Sequence, residues 1–347
     1  MALPTSDDAP AVLLLAYDPD APSFRHRLRG VAARLDAEGW SCAIERFSRR
    51  RYFLRLFRRR RELAAARCVV LSKINLGLGE AALLSRWARC VVLDFDDAIY
   101  LRRPRGAGLP PGRSALRERK FDDTCATASL VLAGNEALAA RAGARARRVE
   151  IVPTSVDVAA FPERPPERRG DTVVWIGRPE NLVYLELVRP ALAALTRERP
   201  DLTLRVVSSH FPEWPEVRVE RVPWSEAAEV PALASADVGI MPLSADDWSR
   251  GKCAFKLLQY MAASLPAVAS PVGANRDVVL EDQTGCLAGG PEEWTARLRE
   301  ILTSPARAAA MGRAARESVR RRFDRPATVT RVAGLLREAA SPHGGPE

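Results

Sequence analysis

Twelve short apolar runs, separated by stretches of helical periodicity, fall into two sets of six along this chain. The first set is Ala11–Tyr17, Ser41–Phe47, Cys68–Ser72, Cys90–Phe95, Ser129–Ala133 and Val149–Val152. The second is Thr172–Ile176, Leu202–Ser208, Val217–Val222, Asp237–Leu243, Pro266–Val272 and Thr284–Leu287. Strands that alternate with helices form βαβ units, and such units build parallel sheets. Between the sets lies Phe161-Pro162-Glu163-Arg164-Pro165-Pro166-Glu167-Arg168-Arg169-Gly170, a polar, proline-rich stretch that marks a domain boundary. The expected organisation is a first domain over 1–160, a linker over 161–171, a second domain over 172–325, and a helix with a tail over 326–347. The fold class is α/β, with two Rossmann-like doubly wound domains facing a central cleft. Ligands in such folds sit at the carboxyl ends of the strands, where the two domains face each other.

The 347 residues, 47% of them hydrophobic, suffice for two cores. The net charge of +10 directs the chain toward phosphates, nucleic acid or an anionic membrane face. No nucleic-acid motif accompanies the charge, so no nucleic-acid partner is expected, and a basic nucleic-acid-binding protein is the minor alternative. Six cysteines form no C-x-x-C pair, and three histidines do not supply zinc spacing, so no metal site is expected. Buried thiols in a reducing compartment fit that pattern. No run approaches the ~20 apolar residues of a membrane span, and the start of the chain does not read as a signal peptide. A cytoplasmic location follows.

Lysine is scarce: of 53 basic residues, only Lys73, Lys120, Lys252 and Lys256 are lysines. Two of the four lie in Gly251-Lys252-Cys253-Ala254-Phe255-Lys256-Leu257-Leu258-Gln259-Tyr260-Met261-Ala262-Ala263, between the fourth and fifth runs of the second set. Read as one helix, this segment places Lys252, Lys256, Gln259 and Ala263 on one face, and Phe255, Leu258, Met261 and Ala262 on the adjoining face. Cations in the first turns oppose the helix dipole, at a cost of about 0.3–1 kcal/mol each. An anion held by both ammonium groups and the free N–H groups reverses that cost. The plain alternative is a solvated face with two surface lysines.

The same segment, extended through Ser264-Leu265-Pro266-Ala267-Val268-Ala269-Ser270-Pro271-Val272-Gly273, resembles the donor-binding signature of family 4 (group 1) glycosyltransferases of the GT-B fold. Trp175-Ile176-Gly177, Asp237–Leu243, Thr284–Ala288 and Val152–Asp157 support the resemblance, which covers most of residues 149–325. It implies a retaining enzyme that moves a hexose from a nucleotide diphosphate sugar to a glycan or lipid-linked glycan, in polysaccharide or cell-envelope biosynthesis. It further implies no cofactor and no metal, with cationic side chains and amides neutralising the leaving diphosphate. On this resemblance Lys252, Lys256, Gly177, Arg178 and Gly251 are assigned to the diphosphate and Gln259 to the ribose. Family members commonly carry two glutamates eight positions apart; here those positions are Gly251 and Gln259. Asp246 or Asp247 is therefore expected at the donor sugar. The missing acid also admits a catalytically inactive GT-B scaffold. Trp224 is read as a structural indole, with a place near the donor base as the alternative.

Other residues fall at the predicted cleft. Asp94-Phe95-Asp96-Asp97 ends an apolar strand. Asp94, Asp96 and Asp97 there admit a metal site, an aspartyl-nucleophile phosphatase, a catalytic or acceptor-binding role, or a helix cap through Asp97. Arg25, His26 and Arg27 begin the first helix and are candidates for the acceptor side, Arg25 or Arg27 for an acceptor phosphate and His26 for catalysis, against a solvated surface. Arg49–Arg61 holds eight arginines among apolar residues. As a helix it suits an anionic membrane surface, with Phe53, Leu56 and Phe57 facing the lipid, or else packs as an ordinary basic helix. A peripheral position at the inner membrane face is the corresponding expectation.

Overall fold

The computed structural model describes residues 10–47, 56–163 and 171–341. Two six-stranded sheets carry it, every strand pair within them parallel. The first sheet contains β1 (Val12–Ala16), β2 (Cys42–Arg46), β3 (Cys68–Ser72), β4 (Val91–Phe95), β5 (Leu130–Ala133) and β6 (Val149–Ile151). Its order is β2-β1-β3-β4-β5-β6. The second contains β7 (Thr172–Ile176), β8 (Thr203–Ser208), β9 (Arg218–Pro223), β10 (Val238–Met241), β11 (Ala267–Ala269) and β12 (Gly285–Leu287), in the order β12-β11-β10-β7-β8-β9. Each of the twelve lies inside a run read from the sequence, save the last residue of β9. β1, β3, β4 and β5 are buried along their whole length, as parallel strands covered on both faces must be.

Strand order reverses between β1 and β3 in the first sheet and between β7 and β10 in the second. A crevice opens at such a switch point, outside the carboxyl ends of the strands. The two crevices face each other and form the cleft.

The chain crosses between lobes twice, and the crossings touch. Val156 donates its N–H to Phe323 O, and Arg325 donates its N–H to Val156 O. Beyond this point the helix Arg325–Ala340 returns to the first lobe. Its Val332, Ala333 and Leu336 join the core formed by β1 and the helix Gly30–Ala37. The helix expected within 326–347 thus packs on the first lobe, and 342–347 lie outside the described residues. Phe161 belongs to the core of the second lobe, and 164–170 of the expected linker lie outside the described residues.

Part of the basic segment, 49–55, also lies outside the described residues. Within the rest, Leu56 is buried in the first-lobe core, so it does not face lipid as expected. Arg59 is bound to Glu45 and Glu62. Phe57 is 52% exposed, with Arg60 over its ring and Trp87 against its edge.

Candidate active site

A cavity of about 690 Å³ fills the cleft. On the second lobe it is bounded by Gly177 to Asn181 after β7, Ser209 after β8, Trp224, Glu229, Met241, Lys252 to Lys256, and Gln259. The first lobe contributes Asp18, Asp20, Ala21 and Pro22 after β1, then Arg25, His26, Asp96, Asp97 and Thr154.

The helix expected to contain both lysines begins later than the sequence suggests. It spans Phe255–Ala262, and its N-cap, Ala254, is left-handed at φ 53°. A non-glycine residue in that region is strained, and such strain concentrates at functional sites. Lys256 lies in the first turn. Lys252 lies in the preceding loop, so the two do not share a helical face. Both still enter the cavity.

Lys256 lies across Gly177: a Cβ there would come within 2.7 Å of Lys256 Cε. Its ammonium is 5.4 Å from the centre of the Trp175 ring. The Lys252 ammonium is 5.6 Å from the Trp248 ring and 5.8 Å from the Tyr184 ring. Aromatic faces attract cations but do not neutralise them. Among the described residues neither lysine has a carboxylate within 4.0 Å. Burial, then repulsion from Lys252, lowers the pKa of Lys256 to about 7. Burial also lowers Lys252, against the attraction of Asp97. Two half-buried cations with no carboxylate within 4.0 Å, beside the free N–H groups of a helix start, can attract a doubly charged anion.

Gln259 is buried, and its Nε2 donates to Glu229 Oε1 at 2.6 Å. Trp224 Nε1 donates to the other oxygen of Glu229 at 3.1 Å. Trp224 lines the cavity at 43% exposure, so it is not the packed structural indole that was expected. Glu229 was not anticipated, because its helix, Glu226–Ala234, carries no motif.

Asp96 and Asp97 reach the cavity, and Asp94 does not. Asp94 belongs to β4 itself and is buried, where it accepts from Arg27 Nη2 at 2.6 Å and from Nε at 2.9 Å. Arg27 also donates to Val152 O at 2.7 Å. The π-helical turn Arg25–Arg29 turns Arg27 inward, so this pair ties a helix to two strands instead of touching an acceptor. Lys73, after β3, joins Asp96 at 2.9 Å, Asp97, and Ser23 Oγ at 3.1 Å. Burial pushes Asp97 up, but Lys73 and Lys252 outweigh it and the pKa falls. Lys73 thus supplies the charge that a metal reading assigned to an ion. No helix begins at Asp97, so it is not a cap. Three of the chain's four lysines converge here, and their scarcity was the signal that could have identified Lys73.

Arg25 lines the cavity and pairs with Glu226 of the opposite lobe, which leaves its charge already matched. His26 stacks on Phe255 of the opposite lobe with ring centres 4.4 Å apart. Burial, then Arg325 and Arg25, lowers its pKa to about 4. Arg325 Nη2 lies 3.0 Å from His26 Nδ1. A guanidinium only donates, so Nδ1 accepts and the proton of the neutral ring sits on Nε2.

Asp246, Asp247 and Gly251 lie outside the cavity. Asp246 caps the short helix Asp247–Arg250 by accepting from Ser249 N at 2.8 Å, and Asp247 pairs with Arg250 at the surface. A Cβ on Gly251 would meet Ala98 at 2.8 Å, so no larger side chain fits there. Arg178 is at the cavity mouth, paired with Glu180 at 3.2 Å. Among the described residues the one converging set of metal-type ligands is Glu281, Asp282 and Cys286, outside the cavity.

Residues 170–304 match the family model for glycosyl transferases, group 1. The D-inositol 3-phosphate glycosyltransferase of Kineococcus radiotolerans is 30% identical over 215 residues, 51% of this chain and 49% of that protein. The protein of that name in Segniliparus rotundus is 26% identical over 196 residues, 48% of this chain and 42% of that one. The chain spans about half the length of these curated relatives or less. Sucrose-phosphate synthase from Thermosynechococcus elongatus superposes with a TM-score of 0.71 at 16% identity, over 95% of this chain and 99% of that one. Anabaena HepE, solved with UDP and glucose, superposes with a TM-score of 0.67 at 15% identity, over 94% and 99%. The architecture is GT-B, and its second lobe carries the segment that matches the group 1 glycosyl transferases.

Proposed function

We propose that this chain is a retaining glycosyltransferase that moves a hexose from a nucleotide diphosphate sugar to a glycan or lipid-linked glycan. The observation that carries this reading is the pair Lys252 and Lys256: half-buried, with no carboxylate within 4.0 Å among the described residues, and beside a helix N-terminus in the cleft. Negative charge grows on the leaving diphosphate in the transition state. Cations fixed in advance in a desolvated site stabilise that charge more than they stabilise the ground state. The donor supported by HepE's complexes is a UDP sugar. With both lysines in place the chemistry needs no metal ion. Retention, the hexose and the place in polysaccharide assembly rest on the family resemblance of the sequence.

The nucleoside is expected along Gln259, Glu229 and Trp224. The carboxylate takes hydroxyl protons and the indole offers a face for stacking. The acceptor is expected between His26, Asp96 and Asp97. Either carboxylate can take the acceptor's hydroxyl proton, and His26 Nε2–H can orient it. Glu229 brings an acid to Gln259 from another helix, which favours an active enzyme over an inactive scaffold.

Exposed Phe57, with Arg60 over its ring and exposed Arg58 and Arg61 close by in sequence, supports docking on an anionic membrane at the cytoplasmic face, where a lipid-linked acceptor would be found. No described helix is long and apolar enough to cross a membrane. Flotation with anionic liposomes should recover the protein and neutral liposomes should not; equal recovery contradicts the docking.

Activity is tested by incubating the full chain with UDP, GDP and ADP sugars and cell-envelope acceptors, and following nucleotide release. Release that Lys256→Ala abolishes is the expected result. No release from any donor contradicts the reading.

A further inference from the structure

The segment that carries Lys252 belongs to the second lobe by sequence but is packed against both lobes. Trp248 is 9% exposed and is packed into the first-lobe core. Cys253 Sγ donates to Asp96 O at 3.3 Å. Gly134, after β5, passes so close that a Cβ there would lie 2.3 Å from Cys253 Sγ. Next to it Asn135 is 6% exposed and fully engaged. Its Oδ1 accepts from Leu138 N at 2.9 Å and caps the helix Glu136–Gly143 in its own lobe. Its Nδ2 donates across the seam to Arg250 O at 3.1 Å and to Lys252 O at 3.0 Å.

We propose that Asn135 is a positioning residue that clamps Lys252 to the acceptor lobe, so that the donor's diphosphate grip is complete only while the lobes are closed. Lys256 sits on a second-lobe helix whose first turn follows the left-handed joint at Ala254. The Lys252 ammonium lies over Tyr184 of the second lobe, and Ser249 Oγ donates to Tyr184 Oη at 3.4 Å, while the Lys252 carbonyl is held across the seam by Asn135. Opening the cleft breaks the Asn135 bonds and frees the backbone that sets Lys252 beside Lys256. Closure then assembles the anion site, and opening releases the nucleoside diphosphate product. This arrangement makes lobe movement and product release one event.

The role given to Lys252 rests on the donor reading; the clamp itself does not. Asn135→Ser is the informative variant. Serine caps a helix as well as asparagine does, but it cannot reach the carbonyls across the seam. It should lower affinity for the UDP sugar about tenfold, as loss of two hydrogen bonds predicts. In a double-mutant cycle measured by calorimetry, Asn135→Ser and Lys252→Ala should be strongly non-additive, while Asn135→Ser and Lys256→Ala should add. Additivity with Lys252→Ala overturns the clamp. A second readout needs no ligand. Alkylation of Cys253, located by peptide mass spectrometry, should run at least several-fold faster in Asn135→Ser. An unchanged rate overturns the clamp even if the wild type binds no sugar nucleotide, a result that by itself would sink only the donor reading. If Asn135→Ser does not fold, Asn135→Asp, which also caps and also lacks the donor, takes its place in both experiments.

Discussion

Gln259 donates its amide N–H to Glu229, thirty positions upstream, at 2.6 Å, and the pair lines the cleft beside Trp224. An acid absent from its usual sequence position thus stands beside that position from another helix. Glu229→Ala leaves the buried Gln259 amide without its partner, and an unsatisfied buried donor costs about 1–3 kcal/mol. Affinity for a ribonucleotide sugar should fall by about tenfold or more on the same scale. Glu229→Gln should lose less. Calorimetry with matched ribo- and 2′-deoxyribonucleotide donors checks the assignment: the wild type should prefer the ribonucleotide and Glu229→Ala should not.

Lys256 makes donor binding depend on pH in a defined direction. In the free protein its pKa is about 7, lowered by burial and by Lys252. A bound diphosphate raises that value, so above pH 7 binding takes up a proton. The logarithm of the association constant should therefore decline as pH rises past 7, by up to about one per pH unit. Calorimetry in buffers of different ionisation heat measures the uptake directly. A sugar nucleotide is a suitable probe because its phosphates do not titrate in this range. The same depressed pKa has the opposite sign for folding. Between pH 7 and the ordinary lysine range the unfolded chain binds more protons, so Lys256 makes stability rise with pH there.

Lys256→Met should accordingly separate stability from activity. It removes a half-buried cation with no carboxylate partner, so melting temperature at pH 6 should be unchanged or higher. Turnover should drop by about 10²–10³, the scale of losing one preorganised group at the site of developing charge. A variant that loses stability and activity together would place Lys256 among packing residues.

Arg27 and Asp94 should behave in the reverse way. Asp94→Asn or Arg27→Ala strands a buried partner and should cost about 3–5 kcal/mol in denaturant unfolding. Donor affinity of the folded fraction should change little, because neither side chain reaches the cavity.

The layout of strands was legible because each buried parallel strand is a short, nearly continuous apolar run, bounded by loops rich in polar residues and proline. That layout placed the cleft, and with it Lys252, Lys256, Gln259 and Asp97, without any knowledge of contacts. The errors have local physical causes. Alanine signals no left-handed turn, so Ala254 gave no warning that the helix starts after Lys252. Arg25 and Arg27 look alike in sequence, and only the π-helical turn decides which is buried. Asp94 differs from Asp96 and Asp97 by lying within β4 and not beyond it. Glu229, Lys73 and Asn135 reach the site from separate elements, and pairings of that kind leave no periodic trace.

The most direct measurement is a crystal structure of the full chain with an intact UDP sugar. The account predicts diphosphate oxygens within hydrogen-bond distance of the Lys252 and Lys256 ammonium groups, with the N–H groups at the start of the helix Phe255–Ala262 pointing at the same anion. A diphosphate bound elsewhere in the cleft, or lysine side chains directed away from it, would contradict the account.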